Sequence, residues 1–207
     1  DAGRWRSVQL RSGRSAVSAG YGHDVSGPMD PEEIPNAMDF LGVDACLVLD
    51  QLLLISGGID GDDGRREIYS EGLTRYSLDE IVDPDEGVYT ALPIPVNAPE
   101  VATELIEEYG DEDGIVGIYL VTGGPEPPLG HHRYEPMYAA AAERDLAALF
   151  HTAGSGLDEY HVAGYEKFIS THTLGFLNNN MSQATSVVIQ GIPEKFPDLD
   201  IVFLEAG

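Results

Sequence analysis

Five short apolar segments, separated by stretches with helical patterning, constrain the fold more than any other feature of this chain. They lie at residues 45–49, 88–92, 115–121, 146–150 and 201–204. Their apolar residues are continuous rather than alternating, which is typical of strands that are buried on both faces of a parallel sheet. We therefore predict five buried parallel strands.

The segments between these strands carry signals for helices. We predict helices over residues 31–41, 98–109 and 134–144, and one or two more within 164–190. Asp30 is suited to cap the first helix, Pro31 suits its first position, and Arg144 suits a helix C-terminus. Alternation of strands and helices at intervals of about thirty residues is typical of βαβ units in an α/β fold.

Two architectures satisfy this alternation, an open doubly wound sheet and a (β/α)8 barrel. No strand is followed by a Gly-x-Gly-x-x-Gly or Walker loop, so nucleotide-binding forms of the open sheet lose support. The pattern favours the barrel and leaves the open sheet as an alternative. No linker splits the chain, and residues 1–29, rich in Gly, Ser and Arg, are expected to be a poorly structured segment before a domain at 30–207.

Charge is the strongest compositional signal. The chain has 36 Asp and Glu residues against 11 Lys and Arg, a formal net charge of -25, and its only lysines are Lys167 and Lys195. Molar salt screens repulsion within such a surface, so the composition predicts a halophilic protein of a salt-filled cytoplasm. Because the acids are dispersed rather than in long blocks, an acidic interaction tail is less favoured. Nucleic acid, with its negative backbone, is excluded as a partner.

The chain shows no signal for membrane insertion or disulfide bonding. No apolar segment is long enough to cross a bilayer, and the first residues lack the apolar core of a secretory signal. Cys46 is the single cysteine, so it cannot form an intramolecular disulfide, and a reducing cytoplasm fits. We expect Cys46 to be a small buried hydrophobe.

Two polar residues end predicted strands where barrel and open-sheet sites form. His151 directly follows residues 146–150, and a neutral imidazole is a common ligand for zinc-like metals. The alternative interpretation is a loop histidine that is hydrogen-bonded to a nearby backbone group. Glu205 ends the last strand, where an unpaired carboxylate is costly to bury, so either a catalytic role or a structural ion pair is indicated.

Other candidates carry weaker signals. His172 lies past the fourth strand and could line the same site, although a solvent-facing helix histidine fits equally well. His131 and His132 lack a third metal ligand at useful spacing. The acidic segment 60–64 resembles a calcium loop only loosely, because it lacks the terminal Glu, and we expect a solvated loop.

Four segments together resemble the amidohydrolase-related family, which includes the aminocarboxymuconate-semialdehyde and resorcylate-type decarboxylases. Residues 31–44 are similar to its helix before strand two and that strand, 133–141 to a Tyr-x-Pro-x-Tyr helix, 146–151 to strand five, and 191–207 to strand six with its preceding turn. The resemblance implies a partial TIM barrel, strands two to six of the amidohydrolase barrel, from a haloarchaeal-like member truncated at both ends.

The resemblance also implies a metal site. In the family, the metal is held by an acid-or-His and a His on strand one, a His on strand five and an Asp on strand eight. His151 matches the strand-five ligand, whereas His23 and Asp24 do not match the strand-one pair, and the strand-eight Asp would lie beyond Gly207. Many relatives have a catalytic His at the end of strand six, where this chain has Glu205.

These implications define the expected function. We expect an enzyme dependent on a divalent metal, zinc first and manganese second, that hydrolyses or non-oxidatively decarboxylates a small carboxylated or cyclic substrate. Glu205 or His172 would transfer the proton. One alternative is a catalytically inactive fragment of a barrel, and another is a binding module of the open-sheet type. Assembly into a homo-oligomer is left open.

Overall fold

The computed structural model describes residues 31–50, 63–152 and 166–206, and its centre is a single sheet. The five strands are β1 (Cys46–Val48), β2 (Val88–Pro93), β3 (Ile115–Val121), β4 (Ala147–His151) and β5 (Ile201–Leu204). Their spatial order follows their order in the chain, and all four neighbouring pairs are parallel. The sheet curls as half of a barrel, which confirms the predicted partial (β/α)8 fold. An open doubly wound sheet would need a switch in strand order, so that alternative is wrong.

Helices connect the strands. They are α1 (Ile34–Leu41), α2 (Asp63–Glu80), α3 (Pro99–Tyr109), α4 (Glu135–Ala142), α5 (Phe168–Ile189) and the short α6 (Ile192–Lys195), with three-residue 3-10 turns at Pro31–Glu33, Pro84–Glu86 and His132–Tyr134. The predicted helices are confirmed to within a few residues. Arg144 lies just past α4 and donates to the Ala140 carbonyl at 3.1 Å, which satisfies an acceptor in its last turn.

Helix α2 is the element that the sequence did not predict. Acidic residues at 60–64 were expected to form a loop, but Asp63 and Gly64 belong to this helix, while 60–62 lie outside the described residues. The helix has almost no separation of apolar and polar faces and contains Gly72. Periodicity therefore gives no signal here, and packing against β2 rather than local pattern determines the helix.

The sheet has an outer face against the helices and an inner face on its concave side. Outer residues such as Ile118 and Phe150 are fully buried with Ile106 of α3 and Met137 of α4. Burial of each such side chain contributes ~1.5–3 kcal/mol. The inner face is formed by Ala91, Tyr119, Val121 and Leu149, with Leu49, Ala147 and Leu204 packed beside them. Alternation along each strand assigns residues to one face or the other.

Cys46 was expected to be buried, but it is only half-buried on β1, the edge strand of the described sheet, where it packs beside α1. The prediction of a fully buried cysteine is therefore wrong. Partial burial still raises the pKa of the Cys46 thiol. The cap Asp30 and the predicted poorly structured segment 1–29 lie outside the described residues.

Candidate active site

His151 is the last residue of β4, and its register places it at the carboxyl edge of the sheet. It pairs with Val121 of β3 and with Leu204 of β5. Leu149, two residues earlier, belongs to the inner face, so alternation places His151 on that face as well. The predicted position of His151 at the carboxyl end of its strand is confirmed. Barrel enzymes assemble their sites at this edge, and a metal-binding role for His151 stays a prediction.

One hydrogen bond determines the tautomer of His151. Its Nδ1 lies 2.8 Å from the carbonyl oxygen of Thr152. A carbonyl can only accept, so Nδ1 carries the proton and donates, and in the neutral ring Nε2 keeps its lone pair. Metal-binding histidines commonly have this arrangement, with one nitrogen donating to backbone and the other available to a ligand. The backbone bond foreseen as the alternative to metal binding is therefore compatible with it.

Tyr119 contacts His151 from the neighbouring strand. The two rings meet edge to face, with centroids 5.6 Å apart and planes at 83°. Tyr119 is 1% exposed, and its hydroxyl has no hydrogen-bond partner among the described residues. Burial raises the pKa of Tyr119, and the carboxylates of Asp50 and Glu205 raise it further, so the phenol stays protonated.

Glu205 follows β5 at the same edge of the sheet as His151. Its backbone is left-handed, with φ 51°, and its side chain is exposed. The preceding carbonyl, that of Leu204, accepts a hydrogen bond of 2.8 Å from the Asn180 amide of α5. The bond fixes the backbone from which Glu205 projects. His151 and Glu205 thus end adjacent strands in the same direction, and convergence of their side chains on one cavity stays a prediction.

His172 lies in α5, but its side chain is outside the described residues, so its place in this group stays a prediction. The rings of His131 and His132 contact each other with centroids 4.0 Å apart and planes tilted by 35°. Nδ1 of His131 accepts a hydrogen bond from the Arg133 amide at 3.2 Å, a local capping role. Within 31–50, 63–152 and 166–206, no three His, Cys, Asp or Glu side chains are grouped as a metal site.

Asp50 and Tyr119 were not among the candidates from the sequence, although Tyr119 contacts His151 and Asp50 acts on Tyr119. Asp50 comes shortly after β1 and is half-buried. Besides Tyr119, it acts on Tyr69 of α2, where burial and then the Asp50 charge raise the pKa to about 12. The signal for Asp50 was present, because a polar residue follows this apolar segment as His151 and Glu205 follow theirs. Tyr119 had no such signal, since an aromatic residue inside an apolar segment resembles core.

A buried polar seam between α5 and the strand ends holds this edge of the sheet. The Thr152 hydroxyl donates to the Phe176 carbonyl at 3.1 Å and accepts from Thr122 at 3.4 Å. The Gln183 amide donates to the Thr122 carbonyl at 3.1 Å and accepts from the Leu129 N–H at 2.8 Å. Helix α5 therefore holds Thr152, which directly follows His151, and the loop that follows β3.

The chain matches the model of a known protein family. The family model described as "Amidohydrolase" matches residues 22–207 of the chain. A comparison with curated protein sequences found no match. No helix in the described ranges is long and apolar enough to span a membrane.

Solved structures share the fold at low sequence identity. An amidohydrolase from Mycobacterium avium subsp. paratuberculosis has a TM-score of 0.71 and 18% identity, over 83% of this chain and 47% of that one. A 5-carboxyvanillate decarboxylase from Novosphingobium aromaticivorans, complexed with manganese and 4-hydroxy-3-methoxy-5-nitrobenzoic acid, gives 0.65 and 20%, over 95% and 60%. A dihydroxybenzoic acid decarboxylase from Polaromonas, with manganese and the inhibitor 2-nitroresorcinol, gives 0.65 and 15%, over 81% and 52%.

The chain covers only part of the length of these structures. It spans between 47% and 60% of the length of the three structures. The chain is thus similar to about half of each structure.

Proposed function

The chain belongs to the amidohydrolase family, and from this premise we propose that it forms strands two to six of a metal-dependent enzyme. The proposed reaction is hydrolysis or non-oxidative decarboxylation of a small carboxylated or cyclic substrate. Two of the similar structures are decarboxylases bound to an aromatic acid or a resorcinol, which makes decarboxylation of an aromatic carboxylate the first activity to assay.

The observation that carries the proposal is the state of His151. It lies at the carboxyl end of β4, the Thr152 carbonyl accepts a hydrogen bond from its Nδ1–H, and the Nε2 lone pair is therefore available. An imidazole prepared in this way fits one ligand position of a divalent metal. A bound metal would supply Lewis acidity that activates water or orients a substrate carboxylate. Both zinc and manganese suit such a ligand, and manganese is the metal in the two similar decarboxylases.

The roles proposed for the other residues follow from their chemistry. The exposed Glu205 carboxylate would accept or return a proton at the substrate, and His172 is proposed as the second proton-transfer group. The protonated Tyr119 phenol and the Asp50 carboxylate would add a hydrogen-bond donor and an acceptor to the same edge. The acidic composition supports work in a salt-filled cytoplasm, with a small molecule rather than nucleic acid as partner.

Paramagnetic NMR tests the ligand role of His151 even when binding is weak. Manganese would be titrated into chain carrying ¹⁵N-labelled histidine, in molar potassium chloride to suppress binding to surface acids. We expect the His151 ring signals to broaden first, and those of the exposed His132 to serve as the internal control. His151→Gln, which identifies the signal, should abolish the selective broadening. Equal broadening of both histidines would contradict the proposal and favour an inactive fragment.

A further inference from the structure

Tyr119 is the only side chain whose ring contact with His151 is resolved in the described residues. It lies on β3 opposite Leu149, one inner-face position before His151 on β4. Its ring meets the imidazole edge to face at 5.6 Å, an arrangement that aromatic pairs prefer. At 1% exposure Tyr119 is packed on the inner face with Val121 and Leu149, so its own ring is held by the core.

A histidine at the end of a strand needs two constraints to present one nitrogen. The bond from Nδ1 to Thr152 selects the tautomer, but it holds only one point of the ring. Rotation of the ring about the Cβ–Cγ bond would break this hydrogen bond, and proton exchange with water would then allow the tautomer protonated on Nε2 to form. A rigid aromatic ring packed against the imidazole supplies the second constraint.

We propose that Tyr119 is a positioning residue, whose ring holds the His151 imidazole in the orientation that keeps the Thr152 bond and leaves Nε2 as the ligand nitrogen. This inference rests on the proposed metal role of His151. It assigns the positioning to the ring of Tyr119 and not to its hydroxyl. The hydroxyl has no partner in the described residues, so Tyr119→Phe retains the positioning group.

The test reads the tautomer of His151 directly, with no metal and no substrate. In chain with ¹⁵N-labelled histidine at about pH 8, where ordinary histidine is neutral, long-range ¹H–¹⁵N spectra distinguish protonated from unprotonated ring nitrogens. Wild type and Tyr119→Phe should both show protonated Nδ1 and unprotonated Nε2. Tyr119→Leu should lower the ratio of this tautomer to the other by about 2- to 10-fold, as loss of an edge-to-face contact predicts.

A matched variant separates positioning from general loss of packing. Tyr138 of α4 is fully buried in the cluster that covers the outer face of the sheet, and its hydroxyl donates to the Leu129 carbonyl at 2.8 Å. Tyr138→Leu should destabilise the chain and leave the His151 tautomer unchanged. Loss of the tautomer in Tyr119→Phe, its retention in Tyr119→Leu, or an equal effect of Tyr138→Leu would each overturn the proposal.

The wild-type chain alone also decides the contact, should Tyr119→Leu fail to fold. We expect nuclear Overhauser effects between the ring protons of Tyr119 and His151, and their absence would overturn the proposal. Failure of the proposed function is distinguishable, because the manganese experiment would then show no selective broadening while the tautomer and the ring contact persist.

Discussion

Replacement of Gln183 by methionine should reveal how much the buried polar seam stabilises the carboxyl edge of the sheet. Gln183 is 2% exposed, and its amide satisfies the Thr122 carbonyl and the Leu129 N–H. Methionine has a similar length but offers neither a donor nor a good acceptor. Gln183→Met would therefore leave two backbone groups buried without partners, at residues that are themselves fully buried.

The expected loss of stability follows from these two unsatisfied backbone groups. Each unsatisfied buried group costs ~1–3 kcal/mol, or ~2–6 kcal/mol for both. The more apolar methionine side chain offsets about 1–2 kcal/mol of this cost. From the middle of both ranges, we expect the free energy of unfolding to fall by ~2–3 kcal/mol. For a chain of this size, the midpoint of thermal unfolding should fall by ~4–12 °C.

The measurement is urea and thermal unfolding followed by circular dichroism at a fixed molar concentration of potassium chloride. Gln190→Met is the matched control, because Gln190 is exposed immediately after α5. A surface substitution of this kind should change the free energy of unfolding by less than about 0.5 kcal/mol. If Gln183→Met were as mild as the control, the claim that the seam stabilises this edge would be refuted.

Three further outcomes are expected. The midpoint of thermal unfolding should rise from dilute to molar potassium chloride, because salt screens repulsion in a chain of net charge -25, and a flat or falling midpoint would sink the halophilic interpretation. Calorimetry with zinc or manganese should show weak binding or none, since catalytic zinc sites use three protein ligands, whereas tight 1:1 binding lost in His151→Ala would contradict this. Burial and Asp50 raise the pKa of Tyr69 to about 12, so the folded state keeps that proton longer. Its contribution to stability should persist below about pH 10 and be lost as the pH rises toward 12, with a shallower loss in Tyr69→Phe.

The strand framework was accessible from sequence because of how parallel strands are buried. In segments such as 115–121 and 146–150, helices cover one face and the barrel interior the other, so apolar residues run without interruption. Helix α2 lacked any such signature. Its apolar residues are not aligned on one face, and long-range packing, which a local pattern does not encode, determines its position.

The sequence predicted some residues of the candidate site and not others, for the same physical reason. His151 and Glu205 were recognised because each follows an apolar strand, and this position alone implies the carboxyl edge. The contact between Tyr119 and His151 was not, because it depends on the register of β3 against β4. Register follows from packing over the whole sheet. The bond from Asn180 to Leu204 spans 24 residues and depends on how α5 docks.

The left-handed backbone of Glu205 has a consequence for stability at the end of β5. A residue with a Cβ atom loses roughly 1–2 kcal/mol in this conformation, whereas glycine adopts it freely. Backbone preference alone would thus favour glycine at φ 51°, yet the chain keeps a long, exposed carboxylate there. The fold therefore loses backbone stability at this position, and the residue that occupies it is an exposed carboxylate at the carboxyl edge of the sheet.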